Sequence, residues 1–310
     1  MTTSATLDYW RSIASAAPSR IVLADGADAR VQAAARVLSA EKLADPVLIG
    51  RDIMTLADVG DLAVDQAAAD AVAYAASIDR EIDLDDPYVI GAILVRAGWA
   101  AGCVAGAIRP TSDVLRAGLR VLGVDESVGL LSSSFLMVLP DGSPLAYGDC
   151  GVNPDPDAEQ LARIAISTSA TFRQLTGQEP RTAMLSFSTK ASASHGRVDK
   201  VQAATALARE LEPSLAIDGE LQFDAAWVPS IAEQKAPESA VAGRANVFIF
   251  PDLDSGNIAY KITERLGQAL AFGPLLQGLT GVLHDLSRGC SVDDVINVTL
   301  IASVQAGADA

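Results

Sequence analysis

The most informative stretch for chemistry is Asp285-Leu-Ser-Arg-Gly-Cys-Ser-Val-Asp-Asp294. It sets the Ser287 hydroxyl and the Arg288 guanidinium in a glycine-containing loop just before a helical pattern. Unpaired backbone N–H groups at a helix start, joined by a guanidinium, make an anion site. Capping explains part of the same pattern, because Ser291-Val-Asp-Asp294 has capping-box spacing with Asp in place of the longer Glu. Both readings hold together if Asp293 and Asp294 divide the work. Lys261 and Arg265, four residues apart, put two cations on one helical face, either solvated or facing an anion. Thr111-Ser-Asp-Val-Leu-Arg116 follows a Gly/Ala-rich strand, where Arg116 serves as phosphate ligand or ion-pair partner. Ser132-Ser-Ser134 interrupts an apolar run, and its hydroxyls, Ser133 included, bond local backbone or touch substrate. Cys103, Cys150 and Cys290 read as packing residues, and His195 and His284 as ordinary side chains.

The elements that position these groups alternate along the chain. Strands are expected at Ser19–Gly26, Pro46–Gly50, Gly102–Ile108, Val128–Leu139, Arg181–Ser186, Leu215–Leu221 and Ala245–Phe250. A helix follows the first at Ala29–Ala40, and another is expected from the Asp155-Pro156 cap to about Leu175, with Gly177 as its stop. Val198, Val201, Thr205, Ala208 and Leu211 form one stripe of the next helix. Asn257 is expected to cap a helix presenting Ile258, Ile262, Leu266 and Leu270 inward, and Ser291 to open the last. Ser143–Pro156 reads as a long connecting loop. Alternating strand and helix predicts an α/β fold with a largely parallel sheet and helices on both faces.

Composition narrows the function. The 310 residues are 50% hydrophobic and 20% charged, enough for a large core. Lys and Arg number 23 against 39 Asp and Glu, a net charge of −16. Nucleic-acid binding over the whole surface is therefore disfavoured, and a small anionic substrate needs locally gathered arginines. Three scattered cysteines and two histidines argue against a disulfide framework or a transition-metal site. The first eleven residues carry Asp8 and Arg11 and no apolar core of signal-peptide length, and glycines interrupt the uncharged stretch Leu266–Leu283. No membrane span and a cytoplasmic location are the expectations.

Several long motifs, in order, carry a resemblance. Tyr147-Gly-Asp-Cys-Gly-Val-Asn-Pro-Asp-Pro-Asp157, Val241-Ala-Gly-Arg-Ala-Asn-Val-Phe-Ile-Phe-Pro-Asp-Leu253, Ser255-Gly-Asn-Ile-Ala-Tyr-Lys261 and Leu286-Ser-Arg-Gly-Cys-Ser291 resemble the phosphate acetyltransferases. The similarity starts at Ile21-Val-Leu-Ala-Asp-Gly26 and runs nearly to the end. It implies reversible acetyl transfer between coenzyme A and phosphate in a ternary complex, by direct thiolate attack. Coenzyme A is then a co-substrate, with no permanently bound cofactor and no metal. It also implies a homodimer and two three-layer α/β domains like those of isocitrate and isopropylmalate dehydrogenases, with a cleft between them. The expected domains are 1–127 with 274–310, and 128–273. Alternatives are a propionyl or butyryl phosphate acyltransferase and a non-catalytic acyl-CoA-sensing or oligomerising domain.

Carried over by motif, Ser287 and Arg288 contact the acyl phosphate and Asp294 is the base toward the thiol. Arg265 and Arg116 hold substrate phosphates, with Thr111 and Ser133 as further substrate contacts. A guanidinium and helix N–H groups would stabilise the oxyanion by roughly 3 kcal/mol or more. An ordinary Asp (about 3.9) is mismatched to a thiol (about 8.5) by roughly 6 kcal/mol. A helix start widens that gap, so Asp294 needs an apolar setting or help from Arg288. Two departures from the family pattern stand out. The basic segment ahead of Asp86-Pro-Tyr88 is replaced by the acidic Ile78-Asp-Arg-Glu-Ile-Asp-Leu-Asp-Asp86, and a His-Ser-Thr motif reads Arg109-Pro-Thr111, which supplies one cation.

Overall fold

A computed structural model describes residues 5–50 and 54–308. The chain begins with α1 (Ala5–Ala16), β1 (Arg20–Leu23), α2 (Ala29–Ala40), β2 (Asp45–Leu48), α3 (Leu56–Val59), α4 (Leu62–Ser77), α5 (Pro87–Arg96), β3 (Gly102–Ala105) and α6 (Thr111–Val121). It continues through β4 (Ser132–Val138), β5 (Pro144–Gly148), α7 (Ala158–Thr176), β6 (Arg181–Leu185), α8 (Gly196–Leu211) and β7 (Ala216–Leu221). Then come α9 (Phe223–Trp227), α10 (Pro229–Lys235), β8 (Val247–Ile249), α11 (Leu253–Arg265), β9 (Leu270–Gln277), β10 (Val282–Asp285) and α12 (Val292–Ala308). Two compact units result: Met1–Asp125 with Leu279–Ala310, and Glu126–Gly278.

The first unit is built on a four-stranded parallel sheet of order β10-β3-β1-β2. Ile21, Val22 and Leu23 are all buried, as expected of a strand covered on both faces. From β1 the chain steps to β2 on one side, then crosses to β3 and finally β10 on the other. Right-handed crossovers in opposite directions put their helices on opposite faces. Accordingly α1, α2 and α12 pack together, and α4, α5 and α6 form a second group. The reversal leaves a crevice at the carboxyl ends of β1 and β3, where ligands bind in sheets of this kind. α5 starts where its sequence dictates: Asp86 accepts from the Tyr88 N–H and Pro87 occupies the first turn.

The second unit has a six-stranded sheet of order β7-β6-β8-β5-β4-β9, parallel from β7 to β5 and antiparallel at β4 and β9. Five expectations change here. The Ser143–Pro156 loop contains β5, which sits inside the sheet between β8 and β4; Leu145, Ala146 and Tyr147 are buried in it. Proline and glycine around a short apolar run hide such a strand. The cap of α7 is Asp157, in a reciprocal box with Gln160, rather than Asp155. α11 is capped by Asp252 accepting from Ser255, so Asn257 lies within it. Its Ile258, Ile262 and Leu266 are exposed, as is Leu270 beyond it. The reason is geometric: Gly256 fits against the Asp149 carbonyl and Tyr260 stacks on Phe135 at 3.9 Å, which turns the isoleucines outward. Leu211 likewise ends exposed, although Val198, Val201, Thr205 and Ala208 are buried.

Candidate functional site

Three neighbouring strands of the first unit each end on a polar group. β1 runs out to Asp25, β3 to Gly106 and Ala107, and β10 to Asp285. Asp25 is buried and ties two of these ends together: Oδ2 accepts from the Ala107 N–H at 2.7 Å and Oδ1 from the Tyr88 hydroxyl at 2.9 Å. The Tyr88 oxygen in turn accepts from the Gly106 N–H at 3.1 Å. Burial pushes the Asp25 carboxyl and the Tyr88 phenol both upward, against the hydrogen bonds that favour the Asp25 carboxylate.

Asp285 is only 1% exposed and far less satisfied. Oδ2 accepts from the Thr111 hydroxyl at 2.5 Å, while Oδ1 has no hydrogen-bond partner among the described residues. Burial pushes its carboxyl up to about 7, opposed by Thr111 and the Leu286 N–H and assisted by the nearby Asp25 charge. Gly106 makes room for it: at φ +96° a side chain is strained, and a Cβ there would overlap Asp285 Oδ1. Thr111, in the first turn of α6, is half-buried.

Past Asp285 the chain enters the Ser287–Ser291 loop. Ser287 and Arg288 are exposed, and Arg288 has no ion pair among the described residues. The loop is held by Arg30, whose Nη1 donates to the carbonyls of Arg288 (3.0 Å) and Cys290 (2.9 Å). Its Nη2 donates to the Ala107 carbonyl at 2.8 Å and to Asp28, the cap of α2, at 2.9 Å. The Arg30 guanidinium holds the Asp28 carboxyl below its ordinary range. The capping box before α12 forms: Asp294 Oδ2 accepts from the Ser291 N–H (2.8 Å) and hydroxyl (2.9 Å), and the Asp294 N–H donates back at 3.1 Å. Cys290 is buried, and burial raises its thiol, so the helix start does not make it a nucleophile.

Arg116 pairs with Asp113 at 2.8 Å on an exposed turn of α6. Arg109, the replacement cation, is bound to Asp86 (2.7 Å) and Asp113 (2.8 Å) and lies 4.4 Å over the Tyr88 ring. A cavity of about 290 Å³ opens beside these arginines and Arg120, with Glu81 and Asp83 on its rim.

Two candidates lie in the second unit. Arg265 ends α11, is 78% exposed and sits 3.4 Å from Glu264. Ser133 is buried and its hydroxyl donates to Asp149. Asp149 also accepts from the N–H groups of Gly151, Val152 and Asn153 and from Asn153 Nδ2, so Ser133 helps fold the loop after β5. The structure thus gathers Thr111, Ser287, Arg288, Asp294 and Arg116 in one unit, whereas Ser133 and Arg265 belong to the other.

Sequence reasoning overlooked Asp25, Tyr88, Arg30 and the role of Asp285. The available signal was an acid closing an apolar strand run, in Ile21-Val-Leu-Ala-Asp25 and again in Val282-Leu-His-Asp285. His284 is buried and pushed down to about 4 by burial, and bonds Gln305. His195 caps α8 by accepting from the Arg197 N–H at 3.1 Å. Among the described residues no three His, Cys, Asp or Glu side chains gather to hold a metal ion, and no helix is long and apolar enough to cross a membrane.

Known proteins resemble this chain in sequence and in fold. The family model described as "Phosphate acetyl/butaryl transferase" matches residues 6–80 and 70–303. The phosphate acetyltransferase of Thermoanaerobacterium thermosaccharolyticum is 43% identical, over 93% of this chain and 95% of its own. That of Acetivibrio thermocellus is 44% identical, over 92% and 93% respectively. A crystal structure of a phosphotransacetylase from Streptococcus pyogenes superposes with a TM-score of 0.90 at 39% identity, covering 99% of this chain and all of that one. With a family model matching nearly end to end and full-length relatives above 40% identity, the chain belongs to the phosphate acetyl/butaryl transferase family.

Proposed function

We propose that this chain is a phosphate acetyltransferase, moving an acetyl group reversibly between coenzyme A and inorganic phosphate through a ternary complex. The observation that carries this reading is the exposed Ser287-Arg288 loop, strapped by Arg30 across the ends of parallel strands, with an Arg288 that has no carboxylate partner among the described residues. On a molecule of net charge −16, an uncompensated guanidinium is a scarce resource. Arg288 faces the acyl phosphate and, with N–H groups at the start of α12, the oxyanion formed when sulfur attacks the carbonyl. Ser287 supplies a hydroxyl to the same group. Arg116 and Arg265 hold substrate phosphates, each needing to exchange its present acidic neighbour for the anion. Asp294 orients the loop through the Ser291 box, which already engages its Oδ2 with two donors.

Coenzyme A is a co-substrate in this scheme, with no resident cofactor or metal, and acetyl is favoured over propionyl or butyryl by the names of the full-length relatives. A homodimer is part of the proposal, supported by the exposed row Ile258, Ile262, Leu266 and Leu270, which a second copy would cover. The reaction is cytoplasmic in this reading. The test is formation of acetyl-CoA from acetyl phosphate and coenzyme A by the purified chain without added metal. Turnover supports the proposal; a folded chain inert toward acetyl, propionyl and butyryl phosphates refutes it.

A further inference from the structure

A guanidinium carries five N–H donors in a rigid planar fork. Arg30, in the first turn of α2, spends every one of them on its own chain. Nε donates to Asp28 Oδ1 at 3.0 Å, and Nη2 donates to Asp28 Oδ2 at 2.9 Å and to the Ala107 carbonyl at 2.8 Å. Nη1 donates to the carbonyls of Arg288 at 3.0 Å and Cys290 at 2.9 Å. Asp28 also accepts from the Arg30 backbone N–H at 2.8 Å, so one capping carboxylate fixes both ends of the residue. No donor is left over for a substrate oxygen. Arg30 therefore differs in kind from the exposed Arg288, whose backbone it holds.

The segment that receives the fork is otherwise bonded to itself. The Cys290 N–H donates to the Ser287 carbonyl at 2.9 Å, and the Gly289 N–H to the Ser287 hydroxyl at 3.2 Å. Before it, the Leu286 N–H still pairs with the Ala105 carbonyl of β3 at 2.8 Å; after it comes the Ser291–Asp294 box. Among the described residues, the hydrogen bonds that tie residues 287–290 to the rest of the chain are the two from Arg30. The Arg288 side chain can be aimed only as well as the backbone that carries it. A displacement of about 1 Å at a reacting group is enough to cost about 100-fold in rate.

We propose that Arg30 is a positioning residue of the acetyl transfer, whose fork holds the backbone of Arg288 and Cys290 so that Ser287 and Arg288 meet the acyl phosphate in one geometry. Arg30 itself touches no substrate. This role rests on the acetyltransferase reading above. The bond to the Cys290 carbonyl also sets the entry to α12, whose first turn carries Asp294. Lysine cannot take over the task, because three donors on one flexible nitrogen do not span acceptors set around a plane.

The experiment is steady-state kinetics of acetyl-CoA formation from acetyl phosphate and coenzyme A. Arg30→Ala should lower kcat about 100-fold, with KM for both substrates within about threefold of the unaltered chain. Arg30→Lys, which keeps the charge and loses the fork, should still lower kcat about tenfold. Adding Arg30→Ala to Arg288→Ala should cost less than about tenfold more than Arg288→Ala alone, because the first residue acts through the second. A kcat within about twofold of the unaltered chain in Arg30→Ala, or in Arg30→Lys should the first variant not fold, refutes the positioning role. A KM raised about tenfold or more with kcat kept also refutes it, by making Arg30 a substrate contact. Losses that multiply in full in the double variant refute it as well. In each of these cases the acetyltransferase reading survives. An unaltered chain that is folded but inert on acetyl, propionyl and butyryl phosphates refutes that reading, and the positioning role falls with it.

Discussion

Two buried aspartates, one in each unit, are almost equally hidden yet very differently served. Asp149, 2% exposed, accepts five hydrogen bonds from Ser133, Gly151, Val152 and Asn153. Asp285, 1% exposed, accepts one from Thr111 and keeps an oxygen without a partner. Removing a carboxylate from water is costly, and donors are what repay it. Asp149 therefore folds a loop, whereas Asp285 is held in a state ready to gain a proton. A buried carboxyl served by donors fixes structure; one left short of them costs stability.

Four substitutions test this contrast. The largest effect is expected from Asp149→Ala, which strips an acceptor from five donors and should cost about 3 to 5 kcal/mol of unfolding free energy. Urea denaturation would measure it, and a loss below about 1 kcal/mol would show that the loop does not depend on that carboxylate. Next is Arg288→Ala, expected to lower kcat at least 100-fold, about 2.7 kcal/mol, with little change in stability because the side chain is exposed. A near-normal steady-state rate would take Arg288 out of the mechanism.

Asp285→Asn should move stability the other way from Asp149→Ala. The folded carboxyl titrates near 7 against 3.8 for an ordinary one, so the folded state prefers the protonated form. Its favourable contribution is complete below about 3.8 and is lost as pH rises toward 7. At pH 8 the amide should gain about 1 to 2 kcal/mol, less than the roughly 4 kcal/mol of the whole shift, since its nitrogen must still face Gly106. Near pH 4 the gain should vanish, and thermal melts at the two pH values would show the difference. Smallest is Ser133→Ala, expected to cost about 1 kcal/mol and leave kcat within about twofold, as fits a residue bonded to Asp149. A KM rise of about tenfold for either substrate would return Ser133 to the list of substrate contacts.

Much of the fold was legible because burial leaves periodic traces. The apolar runs of β1, β3, β6 and β8 and the stripe of α8 announce a parallel sheet with helices. β5 escaped because proline, glycine and aspartate crowd its ends, as they crowd ordinary loops. α11 misled because its buried face is made of Gly256 and Tyr260, while its isoleucines point away. Periodicity locates a face but does not say whether it meets the same chain. In the site, Ser287, Arg288, Ser291 and Asp294 were readable from local spacing, as was their capping box. Arg30 was not, because the carbonyls it holds lie 77 to 260 residues away.

The sequence alone settled the alternation of strand and helix, the Ser291–Asp294 capping box, and a charge balance that makes each cation count. Those properties depend on side-chain type and short-range spacing, which a linear chain already contains. Only the tertiary structure decided that Arg30 straps the loop, that Asp149 is satisfied and that Asp285 is not. Each depends on which donors the folded backbone brings within about 3 Å of a carboxylate and how much water it shuts out. No linear spacing encodes that accounting.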